Sequence, residues 1–313
     1  MDKAILKTLA YADIFDYPLT LREIHKWLIG RKVVLRQVEK VVEKLYQESR
    51  QGRGSPKAAS IKYKGEYYFL PRREKLVAKR WRREKQSAVY FRKAKILSQV
   101  LKLVPWIKLV GVSGGLAVNN ASKTDDIDLF IITGKNRLWI SRILALGVIS
   151  LFGQRRKRKE KGRKIAGKLC VNVLLEEDRL EQQSKDIFIA HEVLQMKVLW
   201  QRDGIYSKYL ADNEWAFKFL PNWVSAESVR GPGVLSLRGA PATKQSNSRL
   251  PRSLRSLAMT GIENLAKWFQ LKIMQEPKGK ERIEDGALYF HPQDCRSEIL
   301  SKYQQKLKRI ISS

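Results

Sequence analysis

Two glycines and two aspartates stand closest to chemistry in this sequence. Gly114-Gly115 follows directly on the strand-like run 107–113 (IKLVGVS), and ten residues later Asp126-Ile127-Asp128 leads into Leu129-Phe130-Ile131-Ile132. Glycines at a strand-to-helix turn let the backbone bend tightly and approach a ligand, and the free N–H groups of the helix start donate to phosphate. A strand's period of two places Asp126 and Asp128 on one face while Ile127 turns into the core. Two carboxylates on one face, with no basic residue between them, are costly unless a cation neutralises them. Mg²⁺ or Mn²⁺, shared between these acids and a triphosphate, would do so.

Ser113-Gly114-Gly115, the ten-residue spacer and Asp126-Ile127-Asp128 together resemble the nucleotidyltransferase superfamily. That resemblance covers about residues 1–222. It implies an α/β (α+β) chain with a polymerase-β-like mixed sheet and transfer of a nucleotidyl group from an NTP to a hydroxyl. By that likeness Ser113, Gly114 and Gly115 hold the nucleotide's phosphates, and Asp126 and Asp128 bind the metal and act in catalysis. Two departures bear on activity. Gly115 stands where Ser is commoner in that turn, so it offers phosphate only its N–H. The third carboxylate, which in the family helps deprotonate the attacking hydroxyl, has Asn172 in its expected place on the strand 169–175. Asn can ligate a metal through its carbonyl but cannot take a proton; Glu176, Glu177 and Asp186 are substitutes. The alternative reading is therefore a catalytically degenerate chain acting as a nucleic-acid-binding or regulatory protein.

A competing pattern shares the same residues. Gly111-Val112-Ser113-Gly114-Gly115 also matches G-x-S-x-G, the nucleophile elbow of hydrolases, with His191 or His291 downstream. That fold needs several strands before the elbow, whereas 1–103 reads as mostly helical. No G-x-G-x-x-G is present for a dinucleotide.

The surrounding elements must position this site. Residues 1–70 read as three helices and a hairpin, a winged-helix-like module. Thr20-x-x-Glu23 opens its second helix as a capping box, and Arg36, Lys40 and Lys44 lie on the solvent face of the third, where a groove-reading helix contacts nucleic acid. Residues 71–104 form a long basic connecting helix stopped by Pro105. Residues 105–222 make the α/β domain, with strands over 107–113, 128–133 and 169–175, a buried helix over 137–152, and helix from 185 to about 209. Residues 223–253, rich in Gly, Pro, Ser and Arg, read as a linker, and 254–313 as a helical segment.

Composition fits polyanionic partners. The 313 residues hold 62 Lys plus Arg against 31 Asp plus Glu, a formal net charge of +31. Such an excess favours nucleoside triphosphates and an anionic acceptor such as RNA or DNA. Two cysteines make no disulfide framework, and the N-terminus shows no signal-peptide pattern, which points to a reducing cytoplasm. The apolar run 138–152 is too short to span a bilayer and carries Arg142, so no membrane span is expected.

Overall fold

The computed structural model describes residues 1–51, 61–157, 160, 162–224, 252–274, 282–290 and 295–311. The first 70 residues form helices α1 (Asp2–Ile14), α2 (Leu21–Lys26) and α3 (Leu35–Arg50), with strands β1 (Leu19–Thr20), β2 (Lys62–Lys64) and β3 (Tyr67–Phe69). The strands pair antiparallel in the order β1-β3-β2. The capping box at α2 forms in both directions: Glu23 N donates to Thr20 Oγ1, and Thr20 N donates to Glu23 Oε2. Helix α3 buries Val38, Val42 and Leu45, one stripe at helical spacing, against α1 and α2.

Helix α4 (Lys75–Val100) starts four residues inside the expected range, and its last turn tightens to 3₁₀ over Leu101–Leu103 before Pro105. Its charge is not all solvated. Arg80 is buried, donating to Glu23 at 2.7 Å and to Glu84 at 2.6 Å, and its guanidinium lies 3.7 Å from the centre of the Tyr17 ring. A buried charge is tolerated only when paired in this way, so Arg80 bolts α4 to the N-terminal module.

The remaining strands, β4 (Ile107–Val112), β5 (Ile127–Thr133), β6 (Leu169–Glu176), β7 (Lys197–Gln201), β8 (Arg282–Glu284) and β9 (Ala287–Tyr289), form one six-stranded mixed sheet ordered β7-β4-β5-β6-β9-β8. Only β5 and β6 pair in parallel. Their crossover carries α6 (Leu138–Leu151), while α5 (Gly114–Ala117) fills the turn after β4. One sheet face packs Leu109, Phe130, Ile132 and Val173 against α7 (Ile187–Gln195), α8 (Ile205–Asp212) and α9 (Ala216–Phe219). The other packs Val110, Val112, Leu129 and Ile131 against α4 and α6.

Three expectations change. The stretch 185–209 is not continuous helix: β7 interrupts it and forms the sheet edge beside β4. Gly111 permits that pairing, because a Cβ there would come 2.5 Å from Met196 Sδ. The segment from 254 supplies more than the helices α10 (Arg252–Ile273) and α11 (Cys295–Ile311), since the hairpin β8–β9 extends the sheet beyond β6. Helix α6 is buried on one face only, with Leu138, Trp139, Ala145 and Ile149 inward while Leu151 is 86% exposed. Most of the expected linker, 225–251, lies outside the described residues. Among the described residues no helix is long and apolar enough to cross a membrane.

Candidate functional site

The Gly-Gly turn and the two aspartates meet where β4 ends and β5 begins. Ser113 N donates to Asp128 O at 3.1 Å, fixing the turn onto the strand. Gly114 has φ +61°, and a Cβ on it would sit 3.2 Å from Asp128 Oδ2. Both the left-handed conformation and the close approach therefore require glycine. Gly115 is less constrained, since a Cβ there would meet Asn120 O at 3.5 Å, an ordinary contact.

Ile127 is fully buried in the core shared with α6, and Asp128 turns to the opposite face, as alternation requires. Asp126, Asp128 and Cys170 bring their ligand atoms within 4.8 Å of one another. Cys170 gets there because Asp128 and Cys170 are partners in the parallel β5–β6 register. Burial, with Asp126 beside it, pushes the Asp128 carboxyl well above its usual range, while Arg156 opposes that shift. The site is thus short of positive charge, and two carboxylates this close suit an oxygen-preferring divalent cation. The thiol suits it less, because burial and the two aspartates raise Cys170 to about 12. Neighbouring Asp125 is engaged elsewhere, accepting from Ser122 N and Oγ at 2.8 and 2.6 Å.

Arg156 was not singled out by the sequence. Its N–H donates to Leu169 O, which lays the chain beside the start of β6, and its Nη1 donates to Asp126 Oδ2 at 2.6 Å. Of the substitutes for a third carboxylate, none reaches the cluster. Glu177 pairs with Lys108, Glu176 accepts from Arg137 N, and Asp186 caps α7 through Phe188 N and Ile189 N. Asn172 occupies a β-bulge: the partners of Leu129 and Phe130 are Val171 and Val173, so Asn172 is an extra residue on β6. Bulges re-aim side chains beside sites, and Asn172 lines the cavity described next, whereas Cys170 sits opposite Asp128.

That cavity, about 260 Å³, opens beside Ser113, Gly114, Gly115, Asp128 and Asn172. Its roof is the N-terminal module, with Tyr11, Phe15 and Trp27, and its far wall is α7, with Phe188, His191 and Glu192. Tyr17 Oη donates to Val118 O at 2.8 Å and Asn120 Nδ2 to Phe15 O at 3.0 Å, which clamps the module over the Gly turn. Burial pushes Glu192 up to about 7 and His191 down to about 3. Glu192 had one sequence signal, a lone carboxylate in the largely apolar helix IFIAHEVLQ.

The hydrolase pattern fails on this geometry. Among the described residues β4 is the first strand of the large sheet, and His191 is a neutral imidazole stacked 4.2 Å from Tyr11, too weak a base to activate Ser113. His291 lies outside the described residues. Arg36, Lys40 and Lys44 are exposed on α3, away from the cavity lining and interleaved with exposed Glu39 and Glu43. No family model matches this chain, and no curated protein matches it.

Proposed function

We propose that this chain is a divalent-metal-dependent nucleotidyltransferase of the polymerase-β-like class that moves an NMP from an NTP to a hydroxyl acceptor, preceded by a winged-helix module. The observation that carries the reading is the junction of Gly114 with Asp128, beside the Asp126–Asp128–Cys170 cluster at the start of a parallel strand pair. Asp126 and Asp128 would hold Mg²⁺ or Mn²⁺, which supplies charge neutralisation for the triphosphate and orients in-line attack. Gly114 and Gly115 present backbone N–H groups to the phosphates, and the buried walls exclude water so that these dipoles act at full strength. Three helices with the sheet β1-β3-β2 support the winged-helix likeness, and the exposed Arg36, Lys40 and Lys44 support a polyanion on α3. Neither Cys170 nor Cys295 is in a disulfide among the described residues, in keeping with a cytoplasmic setting.

A second reading, a degenerate site in a binding or regulatory protein, is favoured by one observation. Arg156 already supplies Asp126 with a positive charge, and the third member of the cluster is a thiol rather than a carboxylate. Pyrophosphate release from each NTP, in Mg²⁺ and in Mn²⁺, decides between them. Release that disappears in Asp126→Asn/Asp128→Asn establishes the transferase; release no greater than that of the variant, together with no metal-dependent NTP binding, establishes the degenerate site.

A further inference from the structure

The cavity under α1 is more than the mouth of the metal site. It carries polar atoms that no group among the described residues satisfies. Ser113 Oγ and His191 Nε2 both belong to residues more than nine-tenths buried that line it, and neither has a hydrogen-bond partner among the described residues. Buried polar atoms left without partners cost stability, so a site that keeps two of them is shaped for something that supplies partners. The rest of the lining is mostly aromatic and apolar, from Tyr11, Phe15, Trp27 and Phe188, with two carboxylates, Asp128 at the Gly turn and Glu192 across from it on α7, and the amides of Asn120, Asn172 and Gln195. This is the composition of a small-molecule pocket, apolar walls with a few converging polar groups. At about 260 Å³ and roofed by a packed module, it has room for a small molecule but none for a nucleic-acid strand.

Building on the transferase reading, we propose that this cavity seats the acceptor, a small hydroxylated molecule with an apolar body, and that Glu192 accepts the proton of the attacking hydroxyl. In the balanced step the acceptor oxygen forms a bond to the α-phosphorus of the NTP and the α–β bridging P–O bond breaks. The O–H proton passes to the Glu192 carboxylate, and pyrophosphate leaves with the bond pair. Ser113 Oγ and His191 Nε2 position the acceptor's polar atoms. Glu192 thereby fills the role for which β6 offers only Cys170 and Asn172, and does so from a helix across the cavity rather than from a strand.

The ionisation of Glu192 agrees with the task. Burial raises it to about 7, the Gln195 amide opposing by a 2.7 Å hydrogen bond. Glu192 in turn raises Asp128 of β5, Tyr11 of α1 and Tyr209 of α8, while Cys295 of α11 and His191 of α7 line the same cavity. A carboxylate poised near neutrality is the efficient proton acceptor at neutral pH.

The test is steady-state pyrophosphate release from Mg²⁺–NTP by the full chain, with water as surrogate acceptor, from pH 5.5 to 9. Wild type is expected to gain activity as pH rises through about 7, as Glu192 ionises. Glu192→Gln is expected to lose that limb and on the order of 100-fold in kcat, with the nucleotide KM unchanged. Added RNA is expected to leave the rate unchanged. A Glu192→Gln enzyme with wild-type kcat and pH profile overturns the assignment while leaving the transferase reading intact, provided Asp128→Asn still abolishes release. A raised nucleotide KM at constant kcat overturns it in favour of a nucleoside pocket, and RNA-stimulated release overturns the small acceptor. No release from wild type removes the transferase reading and this assignment with it.

Discussion

Gly114 and Gly115 are adjacent and chemically identical, yet the fold asks different things of them. Gly114→Ala must hold φ near +61° and press a Cβ to 3.2 Å from Asp128 Oδ2. We expect a loss of about 1–2 kcal/mol in urea unfolding, with turnover falling further because Asp128 is displaced. Gly115→Ser meets only ordinary contacts and is expected to change stability by less than about 0.5 kcal/mol. His191 and Glu192, neighbours on α7, make a second residue-scale prediction. Glu192 raised to about 7 binds its proton in the folded state at pH values where the unfolded chain has released it. Its contribution is present at low pH and lost as pH rises through about 7. His191 lowered to about 3 works the other way, costing stability as pH falls below about 6.5. The two oppose each other between roughly pH 4.5 and 6.5. Glu192→Gln should unmask His191, steepening the acid-side loss by about 1.4 kcal/mol per pH unit relative to wild type in urea titrations at pH 5, 6 and 7. An unchanged pH dependence would mean that Glu192 is ionised throughout. At this scale the sequence was legible where chemistry is local: Gly114, Asp126 and Asp128 are readable from spacing and strand period. Arg156 and Cys170 reach the aspartates, and Glu192 reaches the cavity that Asp128 lines, only through tertiary packing, which spacing does not encode.

The elements show how remote segments hold the site. The N-terminus of α6 has no side-chain cap of its own; Glu263 from α10 supplies it, accepting from Trp139 N at 2.6 Å and Ile140 N at 3.1 Å. A carboxylate there satisfies orphan N–H groups and meets the positive end of the helix dipole. Glu263→Ala is expected to cost about 1–2 kcal/mol by thermal or urea unfolding, and a loss within error would show that α10 contributes packing alone. Element types were mostly readable because their signals are short-range, as in the Thr20–Glu23 box, the stripe on α3 and the alternation in β5. The failures have physical causes. β7 (KVLWQ) follows an apolar helix without a Gly or Pro break, so the change of period from 3.6 to 2 falls within a continuous apolar run. The β8–β9 hairpin has strands of three residues, too short for a periodic signal, and is strand only because β6 offers an edge to pair with.

For the whole molecule, a charge of +31 sets the long-range field, while the cavity sets what reaches the chemistry. On the proposed reading, a polyanion docks on the basic surface while the acceptor reacts inside the cavity. Binding to a short DNA duplex is expected to weaken steeply with salt, and Lys40→Glu on the exposed face of α3 to weaken it further while leaving pyrophosphate release unchanged. Undiminished DNA affinity in Lys40→Glu would remove α3 from the docking surface. A cation site that Asp126 and Asp128 share with a nucleotide is tested most directly by Mn²⁺ binding, followed by electron paramagnetic resonance with a non-hydrolysable NTP analogue. The expected result is nucleotide-dependent Mn²⁺ binding by wild type that is lost in Asp128→Asn and tightened in Arg156→Gln, where the competing guanidinium is gone. Equal Mn²⁺ binding by wild type and Asp128→Asn would contradict the account.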